Sequence, residues 1–119
     1  MTDDRELLEL AAKAAGYPWR GFSCNGEPLL ECDVSKPGPR YFVPTAWNPL
    51  TDDGDALGLM AVLGVDVDYG ESPTGEPVCW SSHCLKFQGW FEEPLGTEPR
   101  AATRRAIVRA AAEIGRNLT

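Results

Sequence analysis

One histidine, His83, is all the imidazole this 119-residue chain contains, and that excludes the paired-histidine metal and protease motifs. The chain also has no glycine-rich phosphate loop ending in Lys-Ser/Thr and no Gly-x-Ser-x-Gly nucleophile elbow, so nucleotide hydrolysis and serine-elbow chemistry lose their usual signatures. No apolar run approaches the roughly 20 residues that cross a bilayer. The first residues are acidic and periodic where a secretory signal is basic and then apolar. No membrane association is expected, and the expected compartment is the cytoplasm. Four cysteines in such a chain read as reduced thiols rather than as a disulfide framework.

Basic residues are short as well: 11 Lys and Arg against 18 Asp and Glu, for a net charge of −7. The deficit is uneven. Residues 1–15 carry −2, residues 16–99 carry −9, and residues 100–119, with five arginines and Glu113, carry +4. An acidic body disfavours nucleic acid, whose non-specific affinity comes from neutralising phosphates. It leaves room for a basic protein partner, although solubility alone accounts for such a charge.

The length suits one domain, residues 1–119, able to bury roughly two-thirds of the surface its unfolded chain exposes. Thr2 is a good cap for a helix over 2–15 with Leu7, Leu10, Ala11 and Ala14 as its buried stripe and Gly16 as its stop. From Tyr17 to Val34 the pattern becomes β-like, broken at Asn25-Gly26, which predicts a two-residue hairpin turn pairing Cys24 with Glu27 and Trp19 with Cys32. Residues 35–40 read as a loop and Tyr41 to Val43 as a short strand. Pro49 and the cap Thr51 start a second helix over 51–63, with Asp52, Asp53 and Asp55 at the positive end of its dipole. Ala56, Leu57, Met60, Ala61 and Leu63 form its expected apolar face, and Gly64 its stop.

Val65, Val67 and Tyr69 then alternate with Asp66 and Asp68, a half-buried strand with a wet face. Residues 71–77 form a turn, and 78–81 and 85–91 read as two more strands. A last helix over 98–117 opens at Thr97 or Glu98 with Pro99 in its first turn. Thr103, Ile107, Ala110, Ala111, Ile114 and Leu118 fall on its inner side, and Arg105, Arg109 and Arg116 on a solvated outer one. No repeat is evident. The expected fold is α+β, an antiparallel sheet packed with about three amphipathic helices.

Cys24 and Cys32 are too far apart for one zinc knuckle, and on the predicted hairpin they point to opposite faces. Asp52, Asp53 and Asp55 lack the regular ligand positions and twelfth-position glutamate of an EF-hand. No metal and no cofactor are expected. His83 with Cys79 or Cys84 is the one possible thiol and base set, but adjacent strand residues point apart, so His83 and Cys84 do not face each other. The tryptophans Trp19, Trp47, Trp80 and Trp90 are first of all packing residues. Trp47, Trp80 and Trp90 could also line a cleft that stacks a planar ligand, with Arg40, Asn48 and Gln88 fixing its polar edge.

Three segments together resemble the NinX-like phage proteins, which carry a domain of unknown function. They are Trp47-Asn48-Pro49-Leu50-Thr51-Asp52-Asp53-Gly54-Asp55-Ala56-Leu57, the stretch from Pro99 to Ala111, and the opening helix from Asp4 to Gly16. The resemblance implies a phage or prophage accessory protein, placed in the host cytoplasm, and it brings no catalytic residue with it. Two functions then compete. One is a non-enzymatic domain that binds and modulates a host protein; the other is a small-molecule binder that sequesters a nucleotide signal in an aromatic cleft.

Overall fold

The computed structural model describes residues 3–32, 34 and 44–118. Thr2, the expected loop at 35–40, the expected strand at 41–43 and Arg40 lie outside them. Helix α1 is Asp4–Ala15, and Asp3 caps it: its carboxylate accepts the Glu6 N–H at 2.8 Å. Gly16, at φ 73°, ends it in the left-handed conformation that glycine adopts without strain. Strands β1 (Trp19–Phe22), β2 (Pro28–Leu30) and β3 (Thr45–Ala46) form one antiparallel sheet in that order. Helix α2 (Asp53–Leu63) follows. Strands β4 (Asp66–Glu71), β5 (Pro77–Ser82) and β6 (Phe91–Pro94) form a second antiparallel sheet, and α3 (Pro99–Arg116) closes the chain. The arrangement is α+β as expected, with three helices among the described residues, but the described strands divide into two three-stranded sheets where one was expected.

The two hairpins share a sequence pattern. Gly21-Phe22-Ser23-Cys24-Asn25-Gly26-Glu27-Pro28 and Gly70-Glu71-Ser72-Pro73-Thr74-Gly75-Glu76-Pro77 have Gly, Ser, Gly, Glu and Pro at the same five places. They also fold alike. In each, the serine N–H bonds the glutamate carbonyl, the second glycine N–H bonds the serine carbonyl, and the serine Oγ accepts the glutamate N–H. Gly26 and Gly75 sit at φ 83° and 85°, the left-handed place in a three-residue loop with a bulge. Asn25 does not take positive φ, so the two-residue turn does not form. Pairing is therefore Trp19 with Leu30 and Phe22 with Pro28. Cys24 lies exposed in the turn, and Cys32 is buried beyond the strand.

Helix α3 is the axis of the molecule. It packs on α1, on α2 and on the inner face of the second sheet, so it buries Ala106, Ile107, Val108, Ala110, Ala111, Ala112, Ile114 and Gly115, far more than one stripe. Its contact with α1 is made of small residues, Ala11 and Ala12 against Ala111 and Ala112. Leu7 and Leu8 are buried with them, while Leu10 and Ala14, expected in the buried stripe, are half-buried at the edge of the core. Trp47, 4% exposed, lies in the same core with Leu30 and Leu59. Its ring meets Tyr17 and Trp19 edge to face, at 5.7 and 6.5 Å between centroids.

The expected strand at 85–91 is instead a loop followed by β6. His83 ends β5 because its ring is tied to backbone on both sides. Nδ1 accepts the N–H groups of Leu85 and Lys86, both at 3.2 Å, which leaves Nε2 to donate to the Leu63 carbonyl at 2.9 Å. The chain turns there, leaving Leu85 85% exposed, while Phe87 packs on Phe91.

The arginines of α3 are not a free solvated stripe. Arg105 and Arg109 converge on Glu93 of β6 at 3.2 and 3.4 Å, and Arg105 also reaches Asp4 of α1 at 2.9 Å. The Arg109 guanidinium lies 4.7 Å from the Phe91 ring centre. Arg116 pairs with Glu113 on its own helix. The basic end of the sequence is thus spent largely on holding α3 to its neighbours.

A candidate binding groove between the second and third helices

The turn before α2 is built by side chains that satisfy the helix's orphan N–H groups. Asn48 Oδ1 accepts the Leu50 N–H at 3.0 Å, and the Asn48 N–H donates to the Asp55 carboxylate at 2.9 Å. The cap is Asp52, not Thr51: its carboxylate accepts the Asp55 N–H at 2.8 Å, whereas the Thr51 hydroxyl reaches only the Asn48 carbonyl at 3.4 Å. Asp53 turns outward to Arg104 and Arg100 of α3, and the Arg104 Nε–H donates to the Leu50 carbonyl at 2.8 Å. The paired guanidinium of Arg104 holds the Asp53 carboxyl below its ordinary range. The three aspartates therefore divide into a cap, a clamp and a backbone acceptor.

Beyond this clamp α2 is apolar on every side. Ala56 and Leu59 are buried, Met60 and Leu63 are half-buried, and Leu57 and Val62 are 60% and 57% exposed. Leu57 and Ala61, expected on the inner face, point outward, because α3 approaches α2 along the Ala56 and Met60 side. A groove of about 440 Å³ runs between the two helices, lined by Ala56, Leu57, Met60, Tyr69, Thr103 and Ile107 and closed at one end by Asp53, Arg100 and Arg104. Tyr69 comes from β4. Thr103 gives its hydroxyl proton to the Pro99 carbonyl at 2.9 Å, so the Tyr69 hydroxyl donates to Thr103 at 2.8 Å and keeps its ring at the groove wall. Sequence reasoning read Tyr69 and Thr103 only as packing positions and did not mark Arg100, so none of the three was a candidate site residue. The available signal was the composition of α2, since a helix apolar all round is a helix with partners on all sides.

The residues singled out from sequence fall elsewhere. Trp47 and Asn48 line a smaller hollow of about 220 Å³ with Glu27, Asp52 and Asp55, acidic rather than basic. Trp80 lies on the second sheet, its indole N–H bonded to Glu92 at 2.7 Å. Gln88 and Trp90 are exposed on the loop before β6, Trp90 at 67%. None of these five lines the groove.

Cys79 is fully buried beneath α3, and desolvation pushes its thiol up, away from the reactive thiolate. Cys84 is exposed, and both nitrogens of His83 are engaged by backbone. Among the described residues no group of three or more His, Cys, Asp or Glu side chains is gathered as a metal site would need, and no helix is long and apolar enough to cross a membrane. No family model matches the chain, and no curated protein or solved structure matches it either.

Proposed function

We propose that this chain is a non-enzymatic binding domain that engages a host protein through the groove between α2 and α3, in the accessory role that its resemblance to NinX-like phage proteins implies. The observation that carries the reading is the state of α2: apolar on all sides, yet with Leu57 60% exposed at the groove and Ala61, one turn further along the same side, exposed as well. Scattered surface leucines are ordinary, but a contiguous apolar helix face beside a groove is the usual mark of a protein contact. The partner's chemistry follows from the lining. Apolar side chains of an amphipathic helix fill the floor, and a carboxylate on the same segment meets Arg100, whose side chain is 76% exposed.

The groove's size, within the roughly 300–1,000 Å³ of small-ligand sites, favours a second reading: a small amphipathic anion held by Arg100 and Arg104. An aromatic nucleotide is less well served, since Tyr69 is the one aromatic side chain in the lining among the described residues.

The test is co-purification of tagged wild-type protein and Leu57→Lys from host lysate, with melting curves for both. A host protein retained by the wild type and lost from an equally stable Leu57→Lys supports the proposal. Equal recovery by both defeats it. A thermal-shift screen of small amphipathic acids separates the second reading, because a ligand at one hundred times its dissociation constant raises stability by ~2.7 kcal/mol.

A further inference from the structure

The second sheet has two unlike faces. Tyr69, Cys79, Ser81, Phe91 and Glu93 point toward α3: Ser81 donates to the Ala106 carbonyl at 2.6 Å, Tyr69 reaches Thr103, and Glu93 takes the two arginines. The opposite face is set by the register. Asp68 pairs with Trp80 and Trp80 with Glu92, which puts the three in one row across all three strands, since directly opposed residues share a face. Asp66 and Ser82 form the row on one side, and Gly70, Val78 and Pro94 the row on the other.

The Trp80 ring lies down on this face. Its indole N–H bonds Glu92 on β6, while its benzo edge covers Gly70 on β4 so closely that a β-carbon there would come within 2.5 Å of the ring. A ring anchored on both edge strands spans the sheet; Trp80 is half-buried, so part of the ring stays open to solvent on this face. Gly70 permits this, because any side chain would lift the ring. Asp66, Asp68 and Glu92 are exposed around it, and no basic residue occupies any paired position of this face. An indole partly open to solvent and ringed by carboxylates attracts a cation twice, through the ring quadrupole and through charge.

We propose that this outer face docks a basic segment of a partner protein, with an arginine or lysine side chain laid over the Trp80 ring between Asp68 and Glu92. Charge complementarity selects the occupant: every charged residue at the paired positions of this face is acidic, and the arginines of α3 are held in ion pairs within the chain. The site is separate from the groove beside α2 and does not depend on it.

The test uses the full chain labelled with ¹⁵N and a synthetic acetylated Gly-Arg-Gly-Arg-Gly-Arg peptide amide, with Gly-Asp-Gly-Asp-Gly-Asp as control. The Trp80 indole resonance, identified by its loss in Trp80→Phe, is expected to shift with the arginine peptide and not with the aspartate one. Asp68→Asn combined with Glu92→Gln should weaken binding about tenfold, and Trp80→Leu about threefold to fivefold. Glu9→Gln with Glu113→Gln, which removes the same charge elsewhere, should leave it unchanged. An unmoved indole resonance overturns the proposal, as does equal weakening by both double variants, which would mean attraction to net charge alone. The Asp68 and Glu92 changes are at exposed positions, so the result stands even if Trp80→Leu fails to fold.

Discussion

Gly115 of α3 faces the Leu10 carbonyl of α1 with no room for a side chain between them. This contact, with the alanines around it, lets the two helices approach almost backbone to backbone. Gly115→Ala would gain helix propensity of roughly 1 kcal/mol, but its methyl group must displace backbone rather than a flexible side chain. The expected outcome is net destabilisation of about 1–3 kcal/mol, read as a lower midpoint in urea. A gain in stability would mean that α1 and α3 are not held this closely.

The start of α2 separates two neighbouring candidates for its cap. Asp52→Ala should cost about 1 kcal/mol, while Thr51→Ala should stay within about 0.5 kcal/mol. Denaturant titration of the two variants decides it, and the reverse order would restore Thr51 as the cap.

Trp47 is a core residue before anything else. Trp47→Ala empties a site bounded by Tyr17, Trp19 and Leu59, and should cost roughly 3–5 kcal/mol. An unchanged melting temperature would contradict its burial.

The Asp53 clamp gives a pH dependence whose sign is fixed. Its folded pKa is lowered, first by the hydrogen bond from Arg104, so the ionised carboxylate stabilises the fold above the unfolded value near 4. That contribution is lost as pH falls through the lowered folded value. Acid titration of wild type and Asp53→Asn should therefore converge at low pH and diverge above about pH 5. A constant gap between them would remove the clamp from the account.

Much of this architecture can be read from the chain because it is local. Gly16 and Gly64 end helices by adopting positive φ, and alternation around Asp66 and Asp68 marks β4 with its wet face. What depends on distant partners was not legible. Which side of α2 is covered is decided by α3, some fifty residues later, so Leu57 reads as core from spacing alone and is exposed in the fold. Asn25-Gly26 suggests a two-residue turn, but the Ser23 side chain bonds across a longer loop. That loop becomes recognisable only beside its counterpart at Ser72. The α3 arginines look like a solvent stripe until β6 supplies Glu93. For the candidate site, Trp47 and Asn48 stand out in sequence because they build the entrance to α2, and the groove itself is made of residues with no motif.

The most direct measurement is site-specific photo-crosslinking from position 57. A benzoylphenylalanine placed at Leu57, irradiated in host lysate, should join the chain to one host protein. Excess unmodified chain should suppress that adduct, and the same probe at exposed Glu9 of α1 should not form it. No adduct, or the same adducts from both positions, would contradict the claim that the face of α2 beside the groove is where this protein binds its partner.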